Sequence, residues 1–290
     1  MTNTTIIVDL SYFIFYRYYA TITWYKMNQG VKELDDLMAD GLFLEKYTKF
    51  FKDTVKKIVR LYGRGNIELI FAQDCPQGTI WRRTECEEYK ATRTSMRDRA
   101  NVKFDGEIFP FTLQKVLPDV IKEYSAKLIA VPCVEADDIV AVIVKQMRMR
   151  RAVAPEAQTV MNNNIIIITN DDDYLQLTSR EDDTVKLYNL QGKNLYDRAI
   201  FATGEMNLLY KIIIGDKSDN IPGIAKKIGK KRANDLTTNP ESLEKLLLKD
   251  ESVKTQFAHN KRMIDFESIP ENLKAEIVKK FNTLGALESA

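Results

Sequence analysis

Short apolar runs recur along the chain, and between them lie longer stretches in which apolar residues return every three or four positions. Thr5-Ile6-Ile7-Val8, Ile67-Glu68-Leu69-Ile70-Phe71, Lys127-Leu128-Ile129-Ala130-Val131 and Ile165-Ile166-Ile167-Ile168-Thr169 have few polar positions, the pattern of strands buried on both faces. Helical spacing covers residues 43–61, and returns over 135–149 through Ile139, Val142, Ile143 and Met147. Such alternation predicts an α/β fold, a mostly parallel sheet covered by helices on both sides. A further strand is expected at 184–188. Beyond it the chain reads as helices and turns, with Pro222, Gly223 and Gly229 marking a tight connection. The expected division is an α/β domain over 1–200 and a helical region over 201–290. Residues 77–103 break the alternation: they are polar and aromatic, and they join two strands by a detour much longer than a common loop.

Composition narrows the functional classes. At 290 residues and 44% hydrophobic, the chain can bury a substantial core. No apolar run approaches the ~18 residues of a membrane helix, and Asp9 interrupts the first strand before it could serve as a signal peptide. Three cysteines, Cys75, Cys86 and Cys133, form no C-x-x-C pair, so a reduced, cytoplasmic or nuclear protein is expected. One histidine, His259, leaves little room for His-based metal sites or triads. Any chemistry therefore falls to carboxylates.

Those carboxylates sit in a pattern. Asp9 follows the first strand, Asp74 the second, Glu135-Ala136-Asp137-Asp138 the third and Asp171-Asp172-Asp173 the fourth. Ligands of open parallel sheets bind at the carboxyl ends of strands, so these elements should converge on one crevice. A fifth element, Asp216 and Asp219, has the i, i+3 spacing that places two side chains on one side of a helical turn. An isolated Asp after a strand is more often a helix cap. Together, however, Asp9, Asp74, Glu135, Asp137, Asp138, Asp171, Asp173, Asp216 and Asp219 would repel one another unless cations neutralised them, and carboxylate with water is the ligand set of Mg²⁺ or Mn²⁺. Paired divalent ions are a recurring device for phosphodiester cleavage.

The formal net charge is only +2, yet the cations are clustered. The detour carries Arg82, Arg83, Lys90, Arg93, Arg97, Arg99 and Lys103 with Trp81 and Tyr89 among them, a composition that suits single-stranded nucleic acid. Lys217, Lys226, Lys227, Lys230, Lys231 and Arg232 surround Gly223 and Gly229, where glycines let backbone N–H groups approach phosphates and lysines add sequence-independent affinity for a duplex.

Taken in order, these segments resemble the 5′-nuclease superfamily: flap endonucleases, the 5′-nuclease domain of bacterial DNA polymerase I, and phage 5′-nucleases of the ribonuclease H type. Ile7-Val8-Asp9 with Tyr12-Phe13 and Arg17, Phe71-Ala72-Gln73-Asp74, Trp81-Arg82-Arg83 with Tyr89-Lys90-Ala91-Thr92-Arg93, Val134-Glu135-Ala136-Asp137-Asp138, Thr169-Asn170-Asp171-Asp172-Asp173 and Gly215-Asp216-Lys217-Ser218-Asp219-Asn220-Ile221-Pro222-Gly223 carry the resemblance. It implies a PIN-like nuclease domain with a helical arch at about 76–126, and a helix-three-turn-helix in the C-terminal region. It also implies two-metal cleavage of branched or 5′-ended DNA, or of RNA–DNA hybrid, to 5′-phosphate and 3′-hydroxyl products. Asp9, Asp74, Glu135, Asp137 and Asp138 would hold one ion, and Asp171, Asp173, Asp216 and Asp219 the other. Lys90 and Arg93 would reach the scissile phosphate from the arch, acting with Asp74, Asp137 and Asp138 in catalysis. Arg82, Arg83, Lys90, Arg93, Gly223, Lys226, Lys227, Gly229, Lys230 and Lys231 would contact DNA, and Tyr12 or Phe13 would offer a stacking face. A monomer working with replication proteins, of phage or viral origin, fits this picture.

Two departures matter. Lys226-Lys227 stands where the family hairpin carries its middle glycine, which argues against a K⁺ ion there, and the C-terminus lacks a sliding-clamp box. A PIN-like ribonuclease, sharing the acidic crevice but lacking the helix-three-turn-helix, and a non-catalytic branched-DNA-binding protein are the competing readings.

Overall fold

The computed structural model describes residues 3–29, 36–76, 79–91, 104–153, 163–181 and 184–286. Five parallel strands form one sheet in the order β3-β2-β1-β4-β5: β1 is Asn3–Asp9, β2 Asn66–Gln73, β3 Lys127–Ala130, β4 Asn163–Ile168 and β5 Val185–Tyr188. All five strand expectations are met.

Strand residues alternate between two cores. Ile7, Ile70, Ala72, Ile165 and Ile167 face one side with the helix Ala136–Val153, while Ile6, Val8, Leu69, Phe71, Ile166 and Ile168 face the other. Neither sheet face carries a solvated row, which explains the unbroken β-branched runs. Burying each such Ile or Phe contributes roughly 1.5–3 kcal/mol. The second face is covered by α1 (Leu10–Gln29) and α2 (Gly41–Tyr62), and by a helical run α4 that passes from Ile108–Phe111 through a π turn at Thr112–Val116 to Leu117–Tyr124. Ile108, Val116, Leu117 and Val120 are buried there, so this part of the expected arch span belongs to the core. Between β2 and α4 lies a short helix, α3 (Trp81–Glu85), and Ala136–Val153 is α5.

The C-terminal region comprises α6 (Gly204–Ile214), α7 (Lys230–Thr238), α8 (Pro240–Lys249), α9 (Glu251–Ile264) and α10 (Glu271–Ala286). A separate small core of Ile213, Ile224, Ala233, Leu236, Leu243 and Val253 unites α6 to α9. The last helix returns to the sheet instead: Phe266, Ile269, Leu273, Ile277 and Phe281 complete the core under α5. Residues on both sides of position 200 thus share one core.

The link from α6 to α7 is tightly specified. Gly215 has φ 78°, and a Cβ there would lie 2.5 Å from the Ile221 carbonyl oxygen. Asp216 and Ile221 exchange backbone hydrogen bonds of 2.8 and 2.7 Å, closing a small loop that presents Asp216 and Asp219. Buried Asn260 on α9 donates to the carbonyls of Ile212 and Pro222, tying that loop to the helical core. We predict that Gly215→Ala, which adds left-handed strain to a backbone clash, lowers stability by at least about 2 kcal/mol in urea denaturation, whereas an effect below about 0.5 kcal/mol would contradict this account of the turn.

Candidate active site

The carboxyl ends of the strands open into a groove of about 1120 Å³. Seven of the nine expected carboxylates line it: Asp9, Asp74, Glu135, Asp137, Asp171, Asp173 and Asp216. Asp9 closes β1 and both caps and faces the site. Its Oδ1 accepts the Tyr12 backbone N–H at 3.0 Å, starting α1, while Oδ2 meets the hydroxyls of Thr169 and Tyr174 at 3.3 Å. Asp74 follows β2, and its Oδ1 accepts the Ala136 N–H at 2.7 Å, locking the second acidic element onto the third.

Crowding is visible in the acidities. Burial, with Asp74 next in weight, pushes the Asp9 carboxyl up to about 7. Burial raises Asp74 and Asp171 as well, and lifts Asp137 well above the usual carboxylate range, helped by Glu135 and Asp138. Two carboxylates go the other way. Burial alone would raise Glu135, but Lys90 and Arg82 outweigh it; at Asp216 Lys211 outweighs burial and brings the carboxyl to about 2.

Two tight groups emerge, each with oxygens within 4.8 Å of one another: Glu135 with Asp137 and Asp138, and Asp173 with Asp216 and Asp219. The Tyr89 hydroxyl joins them, lying 2.9 Å from Glu135 Oε2 and 3.0 Å from Asp219 Oδ2. All donors are hard carboxylate oxygens, which fits a divalent cation of the Mg²⁺ or Mn²⁺ kind and not a thiophilic one.

Three expected side chains are placed differently. Arg82, assigned to the DNA surface, is 2% exposed and cannot reach a phosphate: Nη1 and Nη2 hold Asp138 at 3.0 and 2.8 Å, Nη1 also reaches Glu135 at 3.0 Å, and Nε donates to the Met263 carbonyl. Asp138 does not line the groove. It is fully buried, and both its oxygens are taken by Arg82, with Trp81 Nε1 at 2.9 Å and the Glu135 N–H at 3.1 Å. Burial alone would lower the Arg82 pKa, but Asp138 and Asp137 hold the guanidinium firmly charged. Lys90 does not stand out on an arch either: it is buried, its ammonium pairs with Glu135, and Asp219 Oδ2 is 3.6 Å away. Its backbone N–H bonds the Asp219 carbonyl, and Asn220 Nδ2 bonds the Glu88 carbonyl, so the detour is pinned to the Asp216–Ile221 loop.

Among the remaining expected contacts, Arg83 is half-buried and Arg93 lies outside the described residues. Lys226, Lys227, Gly229, Lys230 and Lys231 are exposed along the turn and the first turn of α7, with Gly223 half-buried behind them. Phe13 is fully buried and offers no stacking face, whereas Tyr12 lines the groove. Sequence reasoning missed Lys211, whose ammonium bridges Asp173 and Asp216. Its only local signal was a cation in the last turn of a helix that ends beside Asp216.

Residues 4–204 match the family model of the 5′-3′ exonuclease N-terminal resolvase-like domain. The chain belongs to this 5′-3′ exonuclease family. Residues 202–287 match the model of the C-terminal domain of phage T4 ribonuclease H. A 5′-3′ exonuclease of Mycoplasmopsis pulmonis is 27% identical over 75% of this chain and 70% of its own, and ribonuclease H of Enterobacteria phage T4 is 26% identical over 80% of this chain and 74% of its own. A solved structure of the bacteriophage T5 flap endonuclease with DNA and metal ions superposes with a TM-score of 0.64 at 16% identity, covering 97% of this chain and 98% of that one. A T5 5′-exonuclease structure with bound zinc aligns at 0.60 and 17%, over 97% and 99%.

The buried Arg82–Asp138 pair yields a stability prediction. Arg82→Met should cost about 3–5 kcal/mol in chemical denaturation, because it strands Asp138 in the core; a loss below about 1 kcal/mol would show that the pair does not organise the site.

Proposed function

We propose that this protein is a structure-specific 5′-nuclease, a flap endonuclease and 5′-3′ exonuclease that uses two Mg²⁺ or Mn²⁺ ions. The observation that carries the reading is the convergence of seven carboxylates in one groove beside an exposed basic turn. One ion would be held by Asp9, Asp74, Glu135 and Asp137, the other by Asp171, Asp173, Asp216 and Asp219. Bound there, the pair supplies a hydroxide nucleophile at neutral pH and charge stabilisation for the attacking and leaving oxygens. Lys226, Lys227, Lys230 and Lys231 grip duplex phosphates, with the N-terminus of α7 adding backbone N–H groups. Lys90, and Arg93 from the same segment, offset charge at the scissile phosphate. Products carry a 5′-phosphate and a 3′-hydroxyl.

The match of residues 202–287 to a ribonuclease H C-terminal domain favours a second substrate, RNA paired to DNA, and hence primer removal at replication sites. The phage relatives support a phage origin, and a monomer suffices because one chain supplies the whole groove. No helix among the described residues is long and apolar enough to cross a membrane.

With Mg²⁺, the protein is expected to cut a 5′-labelled flap near its junction and to shorten a 5′-labelled RNA–DNA hybrid. EDTA should abolish both reactions, and Asp171→Asn should slow them about 100-fold or more. An intact flap and an intact hybrid across a metal and salt series would refute the proposal.

A further inference from the structure

Two ammonium groups reach the carboxylates of the groove, Lys90 and Lys211, and the two are not equivalent. In the first group Glu135 also receives Arg82 and Tyr89, and Asp74 receives a backbone N–H, so several donors besides Lys90 keep its oxygens in place. In the second group Asp219 meets Tyr89 and Lys90, but Asp173 and Asp216 share one ammonium. Lys211, in the last turn of α6, touches Asp173 and lies 2.7 Å from Asp216 Oδ2. The buried Oδ1 of Asp173 receives no hydrogen bond, so the ammonium is its compensation. At Asp216 the Ser218 N–H and hydroxyl occupy Oδ1 at 2.7 and 2.6 Å, which leaves Oδ2 to Lys211.

An ammonium and a divalent cation seek the same oxygens, and these two carboxylates come from different parts of the fold. Asp173 belongs to the 3-10 turn after β4, and Asp216 to the loop after α6. The side chain between them therefore does two things: it draws like charges together, and it occupies the coordination sites they offer. Both follow from geometry and charge alone.

We propose that Lys211 is a tethered competitor of the second divalent ion, so that loading this group requires the ammonium to withdraw, whereas loading the first group does not involve it. The proposal rests on the metal-nuclease reading for the identity of the two groups. It makes the second ion the weaker one by construction and assigns that weakness to a residue of the C-terminal region.

The test is direct titration of the full chain with Mn²⁺, without DNA, by electron paramagnetic resonance of the free ion at pH 7.5. Wild-type protein should show a tighter and a weaker class of site. Lys211→Met should tighten the weaker class about tenfold, within the range of ordinary coupling between competing ligands, and leave the tighter class within about twofold. Lys211→Arg, which keeps the charge, should remain close to wild type. Lys211→Gln, neutral but polar, provides the same test should the methionine variant fail to fold, with circular dichroism reporting the fold. An unchanged or weakened second class in a folded neutral variant overturns the proposal while leaving the nuclease reading intact. Wild-type protein that binds no Mn²⁺ overturns both.

Discussion

Carboxylates from five places in the chain meet in one groove, and everything around them is arranged to offset their repulsion. A buried carboxylate is costly without a partner and costlier beside another carboxylate. The raised pKa values of Asp9, Asp74, Asp137 and Asp171 record that cost, and the lowered ones of Glu135 and Asp216 mark where a cation relieves it. Three internal cations take part. Arg82 holds Asp138 and Glu135 from behind, Lys90 sits between Glu135 and Asp219, and Lys211 spans Asp173 and Asp216.

The fold supplies the convergence. Parallel strands end on the same edge, so Asp9, Asp74 and Asp171 arrive together with no long loop to order. The remaining acidic elements need bracing: the Asp216–Ile221 loop is closed by its own backbone pair, held from below by Asn260 and from the side by the Glu88–Lys90 segment. Further out, the carbonyl of Met263 receives Arg82, while Gln176 bonds Ile264 and Phe266. The C-terminal region thus braces the acidic groove as well as presenting the basic turn. A nuclease that cuts at a junction needs such rigidity between the part that holds duplex and the part that cleaves.

Much of this was legible in the chain itself. Strand runs such as residues 165–169 are unambiguous because both faces of the sheet are buried, and carboxylates after strands point to the edge they share. What escaped was the division of labour among like residues. Asp137 and Asp138 are adjacent and chemically identical, yet one lines the groove and the other is consumed by Arg82, 56 positions away. Arg82 and Arg83 read alike as surface cations until the core claims the first. Lys211 pairs across the fold with Asp173. Such partners are decided by tertiary packing, which no local pattern encodes. The span assigned to the arch was too wide for a related reason: the apolar spacing of 108–124 suits a core helix, and the polar neighbours before it obscured this.

Repulsion relieved by cations is the central claim, and thermal unfolding tests it most directly. A carboxyl whose pKa is raised by folding binds its proton more tightly in the native state, so stability falls as pH rises from the ordinary carboxylate value of about 4 towards about 7, the position of Asp9. In EDTA the melting temperature should therefore decline from about pH 5 to about pH 8, across that window, and saturating Mn²⁺ at the upper pH should restore it. A melting temperature that does not respond to Mn²⁺ at that pH would contradict the account.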